Sequence, residues 1–186
     1  MVNIQFPDNT KKKFPEGTNA LDVATSISEG LARNVLAASI NGKVIDVQEA
    51  LPINKDLKLE LLTWDNDEGK AVMWHSSAHL MAEAIQSFYP DVKFAIGPPI
   101  ENGFYYDMEF PKNINFSSDE FKKIEKKILE LAKEKNSYEV ISVSKKDAIK
   151  HFEQQKNEYK LELINDLKDG EITFYKQGEF VDLCKG

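Results

Sequence analysis

The chain has 186 residues, 41% of them hydrophobic and 10% aromatic, enough for one or two compact units with proper cores. A formal net charge of -7 and a pI near 5.1 exclude nonspecific nucleic-acid binding through a broad basic surface, so any RNA must be met locally. No apolar run reaches the length of a membrane span or a signal-peptide core, and the lone Cys184 excludes an internal disulfide. Both observations agree with an expected cytoplasmic location.

Val2, Ile4 and Phe6 alternate strictly, Pro7-Asp8-Asn9-Thr10 supplies turn residues, and a return strand through Phe14 completes a hairpin. After Pro15-Glu16-Gly17, Thr18 stands where a helix cap is needed, for a short helix with Leu21, Ala24 and Ile27 facing inward. Val35 to Ile40, the hairpin dipeptide Asn41-Gly42 and Lys43 to Val47 predict two more strands. Leu57, Leu59 and Leu61 mark a last one. Strand, strand, helix, strand, strand, strand is the order of a small ubiquitin-like β-grasp. Residues 1–62 are read as that domain, near the lower size at which a core folds alone.

Thr63 to Lys70 is polar, and its Asp65-Asn66-Asp67-Glu68-Gly69 serves as linker and helix cap at the start of a second domain, 63–186. A long helix follows and stops before Pro90, its apolar stripe formed by Trp74, Ala78, Met81, Ile85 and Phe88. Two of the three histidines, His75 and His79, lie four residues apart on this helix and so share one face. Each follows a stripe residue, about 100° round the axis, at the edge of the buried face where a pocket wall belongs. Imidazoles so placed can share a metal ion, a water molecule or a polar substrate, and can equally be two partly buried histidines bonded to backbone or water. Together with Cys184 they have the ligand types of a three-ligand zinc site with an open position, although no spacing forces Cys184 to meet them.

Phe94 to Ile100 predicts a strand ending in a turn forced by Gly97-Pro98-Pro99, and Gly103 to Phe110 a second strand. Ser117 with Glu120 makes a capping-box pattern ahead of a helix whose inner face is Phe121, Ile124, Ile128 and Leu131. Lys122, Lys123, Lys126 and Lys127, interleaved with glutamates, read as its solvated outer face. Tyr138 to Val143 predicts a strand, and Ser144 with Asp147 another helix start. His151 falls in that helix without a histidine or cysteine nearby, and reads as structural or exposed. Tyr159 to Leu167 reads as a helix, and Ile172 to Gln177 with Glu179 to Cys184 as a hairpin broken at Gly178. The fold class is therefore α+β throughout, with the long histidine-bearing helix of the second domain packed on an antiparallel sheet.

Four segments in this order closely resemble the N-terminal region of bacterial threonyl-tRNA synthetases: His75-Ser76-Ser77-Ala78-His79-Leu80, Ala95-Ile96-Gly97-Pro98, Gly103-Phe104-Tyr105-Tyr106-Asp107 and Val181-Asp182-Leu183-Cys184-Lys185-Gly186. The resemblance covers the whole chain. It implies a TGS domain followed by an editing domain that hydrolyses the ester of serine wrongly attached to threonine tRNA. By resemblance, His75 positions or deprotonates the water, and Lys160 shares that task and offers positive charge to the oxyanion. His79 and Cys184 complete the pocket, Asp182 holds the substrate ammonium, and Tyr106 forms a wall near the ribose or side chain. Left to spacing alone, Asp182 reads as a strand residue paired with a neighbour, Tyr106 as core and Lys160 as a surface charge.

The implied partner is the acceptor end of threonine tRNA carrying serine, and the implied site has no metal, unlike the similar zinc site of alanine-specific editing domains. ATP, magnesium and the family's zinc serve a synthetase domain, so ATP-dependent threonylation is expected of a longer parent chain, homodimeric through its other domains. The family pattern continues past Gly186 to a proline and a fourth pocket histidine, so the chain by itself is expected to be a fragment with weak or no activity. Two other classes compete with this reading: a catalytically silent module that binds tRNA or a protein, and a small zinc hydrolase independent of RNA.

Overall fold

The alternation at the N-terminus forms β1 (Val2–Gln5), which turns into β2 (Lys11–Phe14), in a computed structural model that describes residues 1–53 and 56–184. The turn is fixed by Asp8, whose carboxylate accepts from the Thr10 N–H at 2.9 Å and the Thr10 hydroxyl at 2.6 Å. Helix α1 (Ala20–Ile27) starts one residue beyond the expected cap. Asn19, not Thr18, caps it, accepting from Asp22 N at 2.8 Å while the Asp22 carboxylate accepts from Asn19 N at 3.0 Å. Thr18 is instead held by Leu51, whose N–H donates to the Thr18 carbonyl. The shift turns the inward face of the helix, so that Ala20, Val23 and Ala24 are buried, Leu21 is half-buried and Ile27 is exposed.

A short helix α2 (Glu29–Asn34) follows that the periodicity did not predict, capped by Ser28 and with no buried residue. Strands β3 (Ala37–Ile40) and β4 (Lys43–Ile45) turn at Asn41-Gly42, both with left-handed φ, 52° and 86°, as a tight hairpin requires. Strand β5 (Asp56–Leu62) completes a sheet of order β2-β1-β5-β3-β4, in which β1 and β5 are parallel and the other neighbours antiparallel. Val2, Ile4, Ala20, Val23, Ala38, Leu51, Leu57 and Leu59 form its core, the β-grasp expected from the order of elements.

Helix α3 (Asp67–Phe88) runs through the division of the chain into two compact units, Met1–Trp74 and His75–Gly186. Its first turn needs a glycine: a Cβ on Gly69 would stand 2.1 Å from the Thr63 carbonyl oxygen. Its buried face differs from the predicted stripe. Ala78, His79, Ala82, Ala84 and Ile85 are buried, and Phe88 is exposed. Small alanines let the helix approach its neighbours closely, and His79 is buried at the flank of this face.

The two strands expected between Phe94 and Phe110 are four short ones. β6 (Lys93–Phe94) pairs with a strand at Met108–Glu109, β9, and β7 (Pro99–Ile100) pairs with β8 (Gly103–Phe104). Pro98 and Pro99 have no N–H to continue a ladder, and the Ala95 to Asp107 and Asp107 to Ile96 bonds, both 2.8 Å, bridge the two pairs. Helix α4 (Phe121–Glu134) follows a 3₁₀ turn at Ser118–Glu120. The expected capping box is not made there, because the Glu120 carboxylate is taken up by the Tyr89 hydroxyl and the Lys123 ammonium. Phe121 is exposed, and Ile124 and Leu131 are buried.

Strand β10 (Tyr138–Ser142), helices α5 (Lys145–Gln154) and α6 (Glu158–Asn165), and strands β11 (Thr173–Gln177) and β12 (Phe180–Leu183) complete the second unit. The three strands form an antiparallel sheet in the order β10-β11-β12. Strand alternation divides its two faces. Phe174, Val181 and Leu183 pack with Ala148, Phe152, Ile164 and Ile172 of the α5–α6 side. Phe180 joins the core of α3 and α4 with Phe94 and Tyr106. His151 is half-buried against the rings of Phe152 and Phe174. Among the described residues, no helix is long and apolar enough to cross a membrane.

Candidate active site

The helical spacing of His75 and His79 stacks their rings at 4.9 Å and brings the two Nε2 atoms to 3.1 Å. The His79 ring also lies parallel to Tyr175 of β11, 6.0 Å away, and the Tyr138 hydroxyl of β10 donates to the Ser76 carbonyl at 2.8 Å. These contacts seat the histidine turn of α3 on the sheet. Strand alternation then sends Asp182 and the residue after β12, Cys184, toward the same face as Phe180. The ladder is prolonged past β12 by the Cys184 N–H, which donates to the Thr173 carbonyl at 3.2 Å. Cys184 Sγ thereby comes within 2.9 Å of His75 Nε2, across 109 residues of sequence.

Asp182 is the hub. One carboxylate oxygen is 2.7 Å from Lys160 Nζ and the other accepts from the Tyr106 hydroxyl, with His79 Nδ1 at 3.7 Å. Lys160 is only 2% exposed and Asp182 3%. A buried ion pair survives only when its remaining hydrogen-bonding capacity is also met. Here Tyr106 serves the carboxylate, and Lys160 donates further to the Leu183 carbonyl at 3.3 Å. Tyr106 itself closes over Gly97, where any side chain would place its Cβ 2.5 Å from the ring.

His75, His79, Tyr106, Lys160, Asp182 and Cys184, the six residues singled out in the sequence, all line one cleft of about 570 Å³. Ala95, Ile96, Gly97, Pro98, Leu163, Leu167 and Glu171 line it as well. The volume lies in the range of small-molecule sites. Spacing alone had assigned Lys160 to the surface and Asp182 to an ordinary strand pairing, and both are buried here and paired with each other.

The cluster's charge states follow from burial. Desolvation lowers the His79 imidazole to about 4 despite the nearby Asp182 charge, and lowers His75 as well, so both rings are neutral near pH 7. Desolvation, reinforced by Asp182, pushes the Cys184 thiol up to about 12 and the Tyr106 phenol well above its ordinary range. Cys184 is thus a protonated thiol, unsuited to act as a nucleophile. His75, His79 and Cys184 offer donor atoms within 4.8 Å of one another, so a divalent cation is sterically conceivable among them. Their present distances, 2.9 and 3.1 Å, are those of groups hydrogen-bonded to each other.

Sequence reasoning missed Asn157, which caps α6 and bonds to β6, and the aromatic seats Tyr138 and Tyr175. An asparagine directly ahead of the Glu158 helix was a readable cap signal. Nothing in the sequence marked the two tyrosines beyond strand propensity.

The second unit's cleft thus holds paired histidines, a buried lysine and a thiol, and in the first part of the chain residues 2–63 match the TGS domain family. The chain corresponds over its whole length to the N-terminal region of threonine--tRNA ligases. It is 53% identical to the threonine--tRNA ligase of Cytophaga hutchinsonii, 50% to that of Parabacteroides distasonis and 47% to that of Bacteroides thetaiotaomicron, each across 100% of this chain. It spans 28% of the length of these relatives.

Proposed function

We propose that residues 63–186 form a post-transfer editing domain that hydrolyses the ester of serine mischarged onto threonine tRNA. Threonine activation with ATP then belongs to the remaining length of a threonine--tRNA ligase. The observation that carries the reading is the convergence of two neutral imidazoles, a buried lysine–aspartate pair and a thiol on one small cleft. Such a site answers a physical need: the methyl that separates threonine from serine is worth only about 1 to 3 kcal/mol in a binding pocket, so a second, hydrolytic sieve must supply the remaining accuracy.

The reaction requires a base, an oxyanion partner and a grip on the amino acid. The Asp182 charge favours the proton of His79 on Nδ1, leaving its Nε2 to accept from His75 Nε2–H and leaving Nδ1 of His75 unprotonated. His75 takes a proton from water as the oxygen attacks the ester carbonyl. The Lys160 ammonium stabilises the tetrahedral oxyanion, and the His75 proton then passes to the departing ribose oxygen, giving free serine and uncharged tRNA. Each Asp182 oxygen has one partner, which leaves lone pairs for the ammonium of the serine. Tyr106 bounds the space beside it.

The test is deacylation of seryl-tRNA by a threonine--tRNA ligase carrying this region. His75→Ala and Lys160→Ala are each expected to slow it by roughly 10²- to 10⁴-fold. If both clear serine at the original rate, the reading is wrong. We propose further that the cluster works without metal, since burial keeps the thiol protonated and His75 Nε2 already stands at hydrogen-bonding distance from His79 and Cys184. Exhaustive chelation is expected to leave deacylation unchanged. A loss restored by one equivalent of zinc would assign the site to metal-assisted hydrolysis instead.

A further inference from the structure

Resting on the editing reading above, we propose that Asn157 is a positioning residue for Lys160, tying the helix that carries the ammonium to β6 and the cleft-lining segment that follows it. Asn157 is 4% exposed. Its Oδ1 caps α6 by accepting from the Lys160 N–H at 3.2 Å, and its Nδ2 donates to the Phe94 carbonyl at 2.9 Å. Phe94 ends β6, and the residues that follow it, Ala95 to Gly97, line the cleft, as do Lys160 and Leu163 of α6. One amide therefore joins two of the segments that form it.

The two halves of that amide have different duties. A helix cap needs only an acceptor, which serine or aspartate supplies as well as asparagine does. The donor half does nothing for α6 as a helix. Its bond fixes where the eight residues of α6 stand relative to β6, assisted at the surface by Lys93 and Glu158 at 3.3 Å. Lys160 is the third residue of that helix, and its Nζ must reach the Asp182 carboxylate at 2.7 Å while remaining buried. A slide of α6 by about 1 Å breaks such a contact, and misplacements of that size cost up to about 10²-fold in rate.

Asn157→Ser keeps the cap and removes the donor. In the chain itself, acetylation of Lys160 followed by mass spectrometry, with exposed Lys122 and Lys126 as internal references, reads the lysine's seating without reference to activity. We expect Lys160 to label roughly tenfold faster in the variant, with amide exchange in β11 and β12 unchanged. Should those amides loosen too, Asn157→Asp, which keeps both shape and cap and also lacks the donor, decides by the same measurement.

In a threonine--tRNA ligase carrying this region, kcat for seryl-tRNA deacylation is expected to fall roughly ten- to hundredfold in Asn157→Ser, with KM within about twofold. Lys160 labelling and kcat both at wild-type values overturn the inference. If instead Lys160→Ala deacylates at full rate while Asn157→Ser still exposes Lys160, the tie between helix and strand stands and it is the editing reading that fails.

Discussion

Asp182 shows how little a single position reveals without its neighbours. In the sequence it is one acid in an alternating strand, yet it receives Lys160 from α6 and Tyr106 from the loop between β8 and β9, while His79 lies 3.7 Å away. The histidine pair was legible because helical geometry alone forces positions four apart together. Lys160, Asp182 and Cys184 were not, since each meets its partner only through tertiary pairing; Cys184 was noted for its ligand type alone, and only the resemblance pointed to Lys160 and Asp182. Their burial has a thermodynamic consequence at His79. Its imidazole titrates near 6.5 when unfolded and at about 4 when folded. Between those values the unfolded chain binds more protons, so stability rises with pH. The contribution is complete above about pH 6.5 and is lost as pH falls to about 4, a change on the order of 3 kcal/mol. Denaturant unfolding of the chain at pH 7 and pH 4.5 is expected to show a smaller pH effect in His79→Gln than in the original. Equal pH effects would mean that His79 is not buried as a neutral ring.

Among the elements, those with strong periodicity were readable and those governed by close approach were not. The β-grasp strands, α4, α5 and the β11–β12 hairpin follow from alternation and capping signals. The β6–β9 region defeated the same rules, because its backbone is interrupted by prolines and bent to bring Gly97 beneath Tyr106. The α1 cap was displaced by one residue because Asn19 and Asp22 complete a reciprocal box that Thr18 cannot. Gly97 gives a prediction at this scale. In Gly97→Ala, Cβ lies 2.5 to 2.8 Å from three carbons of the Tyr106 ring, so the ring must move. Overpacking of this kind costs about 1 to 3 kcal/mol. The movement also withdraws the hydroxyl from Asp182, so serine deacylation is expected to fall well beyond what the stability loss explains. Unchanged deacylation together with an unshifted denaturation midpoint would show that the loop yields and Tyr106 does not need its glycine.

For the whole molecule, charge sets the terms on which RNA can be met. The chain carries a formal net charge of -7. On α4, Lys123 is paired with Glu120, and Lys126 lies 3.9 Å from Glu130, so these lysines are not a free basic face. The other basic run, Lys11 to Lys13, occupies β2, an edge strand of the first unit, where lysines guard against edge-to-edge pairing. A protein that grips tRNA through many phosphates loses affinity steeply with salt, with a log–log slope near −0.9 for each phosphate neutralised on a duplex. Among the described residues, the lysines of α4 and β2 do not form such a surface. In filter binding or anisotropy at about 0.15 M salt, its Kd for threonine tRNA is expected to be weaker than about 10 µM, with a salt slope equivalent to fewer than about three phosphates. On the proposed editing reading, serine on the acceptor end should improve binding only modestly, because that reading puts a small residue in the cleft rather than a length of backbone. Submicromolar affinity with a steep salt slope would mean that a basic surface has been overlooked, and the chain would then carry its own grip on tRNA, with no need of anything beyond this region.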